Sequence, residues 1–171
     1  EGNGTSTIIN ANGGNAIEVS EDSVTIKSLK IITTYSSGIF VNESKDTVVS
    51  GIKLEAEYGG IIVVNSSNLI VNNSIFDVDD YGIYLTGSSE ALIQENAFRN
   101  GTESGDYCIY QSESDVNGDA DIEDNDFNDC NVAWRSGSSS NTFRDNTLKD
   151  NEYGVVLSGT EAHQNLLHDN T

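Results

Sequence analysis

Residues 115–126 read DVNGDADIEDND, the densest run of oxygen-bearing side chains in the chain. Asp115, Asn117, Asp119 and Asp121 fall at positions 1, 3, 5 and 7 of a calcium-binding loop, with Asp126 at position 12. That alternate spacing suits a hard cation, which gathers carboxylate and amide oxygens from one side of a tight loop. Two residues speak against it. Ala120 stands where such a loop turns on glycine, and Ile122 is needed as the apolar anchor of a strand. A structural calcium site and a solvated acidic loop are therefore the two readings of this segment. No cofactor is required by either, and calcium is the one metal the pattern suggests.

Other residues with chemistry to offer are scattered. Asp79 and Asp80 form an adjacent carboxylate pair. Arg135 follows Trp134 and interrupts an otherwise apolar series; it reads either as part of a site with the acidic run before it or as a surface ion pair. His163 and His168 lie in one short segment with no nucleophile and no third ligand nearby, which is poor spacing for a metal or a catalytic dyad.

What must position these residues is a repeat. An element of the form G-I-x-V recurs with its apolar anchor at Ile17, Ile39, Ile61, Ile83, Ile109, Ala133 and Val155, at intervals of 22 to 26 residues. A second element is anchored at Ile26, Val49, Ile70, Ile93, Ile122, Phe143 and Leu167. Three residues beyond those anchors come Leu29, Ile52, Asn73, Asn96, Asn125, Asn146 and Asn170, and then Ile31, Leu54, Ile75, Phe98, Phe127 and Leu148. Alternation at period two means strands, and short strands joined by Gly, Ser and Asn turns mean one coil of a β-solenoid per repeat. Helical spacing is absent, and the chain has no Pro to interrupt a ladder. The fold expected is all-β: a right-handed parallel β-helix of about seven coils, roughly 34 Å long at one strand spacing per coil, forming a single domain over residues 1–171. The column Asn73, Asn96, Asn125, Asn146 and Asn170 reads as an asparagine ladder, with amides hydrogen-bonded from coil to coil.

GIYLTGSSEALIQENAF (residues 82–98) and YGVVLSGTEAHQNLLHDN (153–170) resemble the right-handed β-helix repeats of the NosD-like, carbohydrate-binding and sugar-hydrolase superfamily. The resemblance covers nearly the whole chain. It implies the fold and leaves function open, because this fold carries lyases, hydrolases, epimerases, adhesins and assembly proteins. The catalytic motifs of those enzymes are not matched: Tyr81-Gly82 and Tyr153-Gly154 lack the Asp-Pro-His that follows in the epimerases, and there is no Gly-His-Gly. No enzyme activity is expected on these grounds.

With 28 acidic and 8 basic residues, the formal charge is −20. Such a surface repels phosphate and makes nucleic acid an improbable partner. No apolar run approaches the roughly 20 residues of a membrane-spanning helix. The chain begins at Glu1 without Met or an apolar leader, which reads as a mature secreted protein. Asn-x-Ser/Thr sequons at Asn3, Asn42, Asn65, Asn72 and Asn100 are compatible with an extracellular glycoprotein. Cys108 and Cys130 sit on adjacent coils, offset by two positions, which puts their Cα atoms roughly 8 Å apart. A turn that closes this gap gives a disulfide; otherwise the thiols are free or link neighbouring chains.

The x position of G-I-x-V faces outward and holds Glu18, Phe40, Ile62, Tyr84, Tyr110, Trp134 and Val156. An exposed column from Phe40 to Val156 suits a lateral protein interface first, a sugar-stacking platform second and a loop-covered surface third. Neither end of the repeat carries an amphipathic or polar cap, so coils can continue from one subunit to the next. The expectation is an extracellular or cell-surface structural protein whose partner is itself, assembling end to end and laterally into a sheath, surface layer or fibre, with cell-envelope glycans as further partners. It is similar in this to archaeal sheath and surface-layer subunits. The alternative is a carbohydrate-binding module or a small polysaccharide lyase or hydrolase.

Overall fold

The computed structural model describes residues 7–99, 105–113, 118–159, 162 and 164–171. Alternation of apolar and polar residues produces strands of three to six residues, and the chain winds them into three parallel sheets of seven strands each. One coil shows the plan. Tyr81–Thr86 lies in sheet B, Leu92–Gln94 in sheet C and Ala97–Arg99 in sheet A. Each strand pairs only with the equivalent strands one coil before and one coil after. The result is the β-solenoid of about seven turns expected from the repeat, with no helix among the described residues.

Side chains pointing inward form columns along the axis. Ile39, Ile61, Ile83 and Ile109 make one column and Val49, Val71, Ile93 and Ile122 another, all fully buried. The third column becomes aromatic: Phe76 stacks on Phe98 at 4.8 Å between ring centroids, and Phe98 on Phe127 at 5.0 Å. Phe127 and Trp134 both stack on Phe143, carrying the aromatic core across to the other sheets.

The corners are held by polar ladders. The Asn96 backbone N–H donates to Asn125 Oδ1 at 3.0 Å, that of Asn125 to Asn146 Oδ1 at 2.9 Å, and that of Asn146 to Asn170 Oδ1 at 3.0 Å. The amide nitrogens donate to backbone carbonyls, Asn125 Nδ2 to Ile93 O at 2.9 Å for example. A second corner, between sheets B and C, runs the same way through hydroxyls: Ser44 N–H donates to Ser66 Oγ and Ser66 N–H to Ser88 Oγ.

Coil three departs from the expected register by one residue. Val71, not Ile70, lies inward and pairs with Ile93; Phe76, not Ile75, continues the aromatic column. The ladder position is therefore Ser74, whose N–H donates to Asn96 Oδ1 at 3.0 Å. Asn73 is exposed at a turn with φ of 50° and belongs to no ladder. A one-residue slip exchanges the two faces of a strand. Ile70-Val71 and Ile75-Phe76 are apolar at both positions, so pattern alone does not choose. Stacking of Phe76 on Phe98 and the left-handed turn at Asn73 decide the register, since Asn tolerates that backbone better than most residues.

Asn125→Ala removes an acceptor and two donors from a buried corner and is expected to lower unfolding free energy by about 2–4 kcal/mol in urea melts. Asn73→Gly should stay within about 0.5 kcal/mol. Equal losses at both positions would show that Asn73 belongs to the ladder after all.

Candidate functional site

The outer face of sheet B carries the densest cluster of aromatic and charged side chains outside the core. Its local cause is a step in the strand pattern. In Tyr81–Thr86 and Tyr107–Gln111, two consecutive residues turn inward: Gly82 with Ile83, and Cys108 with Ile109. Residues three apart then share the outer face, so Tyr81 and Tyr84 stand side by side, as do Tyr107 and Tyr110 one coil on. The glycine column is needed for close approach: a Cβ on Gly60 would lie 2.3 Å from Gly82 O, and one on Gly82 2.4 Å from Cys108 O.

The four tyrosines form a two-by-two array. Along the axis, Tyr84 and Tyr110 stack at 5.2 Å and Tyr81 and Tyr107 at 5.8 Å. Across it, Tyr81 and Tyr84 are 5.4 Å apart and Tyr107 and Tyr110 5.1 Å. Arg135 closes one end, its guanidinium 5.5 Å from the centroids of both Tyr107 and Tyr110. Arg135 Nη1 donates to the Tyr107 hydroxyl at 2.8 Å and Nε to Ser158 Oγ at 3.3 Å. Among the described residues no carboxylate lies within ion-pair distance of it, although Lys30, Lys53, Arg144 and Lys149 all have such partners. Burial pushes the Tyr81 and Tyr110 phenols above their ordinary range, so both stay protonated at neutral pH. At the other end, Asp80 also titrates above its ordinary value, chiefly through burial and then through the charge of Asp79.

The structure places part of the expected stripe on the outer face and part of it elsewhere. Phe40, Ile62, Tyr84 and Tyr110 pair in register and are partly exposed. Trp134 does not join them. It pairs with Ile109, is fully buried and lies 3° from parallel to Phe143 at 5.1 Å. Arg135 takes the outward place, and Val156 follows it in register. The slip puts small Ala133 level with Cys108 and leaves the wide indole for the core. Tyr81 and Tyr107 were missed because strict alternation hides a two-residue inward step; a signal was available at Tyr81, which stands before Gly82, but not at Tyr107, which stands before Cys108. The tyrosine rings stack on one another along the axis.

Other expected sites divide as follows. Asp115 and Asn117 lie outside the described residues, whereas Asp119 and Asp121 are exposed, the latter opening the strand Asp121–Glu123. Cys108 and Cys130 form a disulfide with Cα atoms 6.0 Å apart, closer than the repeat spacing implied, because Cys130 sits in the inward bend before Val132–Ser136. Among the sequons, Asn65 is exposed at a turn, Asn42 and Asn72 are half-buried at strand ends, and Asn3 and Asn100 lie outside the described residues. His168 is hydrogen-bonded to Asp169, and His163 lies outside the described residues.

A parallel β-solenoid with one polar aromatic face and no catalytic constellation among its described residues belongs to the class of repeat scaffolds. Comparison with known families matches residues 2–171 to the family described as "Periplasmic copper-binding protein (NosD)", and the chain belongs to that family. No curated protein matches it. The family is thus described by binding and by a periplasmic location, not by an enzyme activity. Among the described residues the donor set does not fit copper. The chain has no Met, both Cys are spent in the disulfide, and the described residues hold no group of three or more His, Cys, Asp or Glu side chains that could bind a metal.

Trp134 emission should resist quenching by iodide in the native state and become quenchable in denaturant; native quenching would return it to the outer stripe. Asp80→Asn addresses the other end of the array. A carboxyl raised in the folded state is a net cost once ionised, and stability from this group grows as pH falls through its folded value. The variant should therefore melt higher than wild type at neutral pH, with the gap closing as pH falls through the carboxylate range.

Proposed function

We propose that this chain is a non-catalytic structural solenoid of the extracellular cell envelope that assembles with copies of itself, laterally and end to end, into a sheath, layer or fibre. The observation that carries this reading is an aliphatic row on the outer face of sheet C. Val48, Ile70 and Leu92 pair in register and line a surface groove bordered by Asp46, Asn68 and Glu90. Aliphatic side chains offer no hydrogen bonds and no aromatic face to a sugar, so a row of them fits another protein surface. Phe40 and Ile62 supply a second partly exposed row on sheet B. Two apolar rows on different faces give each copy two lateral neighbours, which extends into a layer where a single row would close as a dimer. Every coil also presents the same parallel ladder to the next, which is the chemistry by which one solenoid can follow another. The periplasmic description of the family agrees with an envelope location, and copper plays no part in the reading.

Sedimentation velocity and negative-stain electron microscopy of the whole chain test this directly. Wild type should form sheets, tubes or fibres. Ile70→Lys or Ile62→Lys alone should leave pairs or single rows, and the double variant should leave discrete rods with unchanged circular dichroism. Discrete rods of wild type across concentration and ionic strength would overturn the proposal.

A further inference from the structure

The tyrosine array and Arg135 are not used by that assembly, and their chemistry points elsewhere. In a chain with 28 acidic residues, Arg135 has no carboxylate partner within ion-pair distance among the described residues. It is nevertheless held in place: its guanidinium carbon lies 5.5 Å from the ring centroids of both Tyr107 and Tyr110, Nη1 is anchored on the Tyr107 hydroxyl and Nε on Ser158. A guanidinium fixed by stacking loses little freedom when it takes up an oxygen ligand. Its Nη2 donates to no described residue. Beside it, the Tyr84 and Tyr110 rings are stacked 5.2 Å apart along the axis, so their phenols repeat at about the coil spacing.

We infer that Tyr81, Tyr84, Tyr107, Tyr110 and Arg135 form a binding site for a glycan bearing uronic acid, with the sugar carboxylate on Arg135 and sugar hydroxyls on the row of phenols. Charge complementarity selects the carboxylate, because every donor left at this end of the array is an N–H or a phenolic O–H and a fixed cation stands among them. The repeat selects a saccharide over a lone carboxylate, since phenols one coil apart match hydroxyl-bearing rings that follow one another along a chain. The strongly negative surface keeps affinity for long polyanions low and favours short or sparsely charged glycans. The site stands independently of the assembly reading: it uses coils four to six of sheet B, whereas the aliphatic rows that carry assembly lie on coils two to four.

Isothermal titration calorimetry of the full chain against tetrasaccharides of galacturonic, glucuronic and mannuronic acid tests the site. The methyl-esterified galacturonic tetrasaccharide and an acetylated tetrapeptide with a free C-terminal carboxylate serve as comparison probes. At least one acidic tetrasaccharide should bind. Esterification should weaken that binding roughly tenfold or more, as should Arg135→Gln, by loss of a charge-assisted pair. Arg135→Lys should recover only part of it, because an ammonium keeps the charge but not the planar guanidinium held on the tyrosine rings. Tyr84→Phe should weaken binding while leaving the thermal midpoint in place. Lys149→Gln, which removes one positive charge from sheet A, should bind as wild type does. Failure of all three acidic sugars to bind, equal binding of acid and ester, or binding of the peptide in place of the sugars would each overturn the inference. Loss of assembly in the lysine variants of Ile62 and Ile70 bears on the previous reading alone, since both residues lie outside the array.

Discussion

Everything in this molecule depends on neighbouring coils keeping register at the corners. A residue with left-handed backbone precedes each ladder position: Ser28, Gly51, Asn73, Glu95, Asp124, Asp145 and Asp169 all have positive φ. After Asn73, Glu95, Asp124, Asp145 and Asp169 the turn swings Ser74, Asn96, Asn125, Asn146 and Asn170 inward, where each side-chain oxygen accepts the backbone N–H of the coil before it, whereas Leu29 and Ile52 fill the equivalent places with apolar side chains. Parallel strands three residues long have few bonds of their own to fix register, and buried backbone groups at the bends would otherwise go unpaired. Once each corner is tied to the next, identical side chains must stack. The phenylalanine column inside and the tyrosine columns outside follow from one constraint.

The fifth and sixth coils show how far that constraint tolerates irregularity. The interval between Tyr81 and Tyr107 is longer than those before it, and the one between Ile109 and Trp134 differs again, yet both pairs stay in parallel register. Inside, the column that held Val41, Val63 and Leu85 passes to Gln111 and Ser136, and a polar cluster with Ser138 and Asn141 replaces aliphatic packing. Gln111 Nε2 and Trp134 Nε1 are buried there without hydrogen-bond partners among the described residues. The Cys108–Cys130 disulfide ties these two coils together. The same slip that buries Trp134 delivers Arg135 to the surface, so the irregular interior and the polar exterior site share one origin.

The outer faces then divide the work. Sheet C shows aliphatic side chains bordered by carboxylates and amides, the composition of a protein contact whose polar rim resists indiscriminate association. Sheet B grades from Phe40 and Ile62 through tyrosines to Arg135, from apolar contact toward hydrogen bonding and charge. A stacked scaffold makes such gradients easily, because changing one residue per coil changes one square of the surface and leaves the ladder intact.

The sequence by itself determined the architecture. Seven recurrences of alternating apolar residues, Asn at a fixed offset and no Pro pointed to a parallel β-solenoid, because period-two alternation with no helical spacing makes every wall of the repeat a strand. It also indicated Tyr84, Tyr110, the asparagines from Asn96 to Asn170 and the cysteine pair. Tertiary structure decided which of two adjacent apolar residues faced the core. Ile70 against Val71, Ile75 against Phe76 and Ala133 against Trp134 are indistinguishable by hydrophobicity; ring stacking on Phe98 and Phe143 settled them. It also decided that Tyr81 and Tyr107 share a face with Tyr84 and Tyr110, because two successive residues point inward in each strand, Gly82 with Ile83 and Cys108 with Ile109, and strict alternation carries no sign of that step. Pattern fixes what a strand can bury; only contact with neighbouring coils selects between residues that would serve equally well.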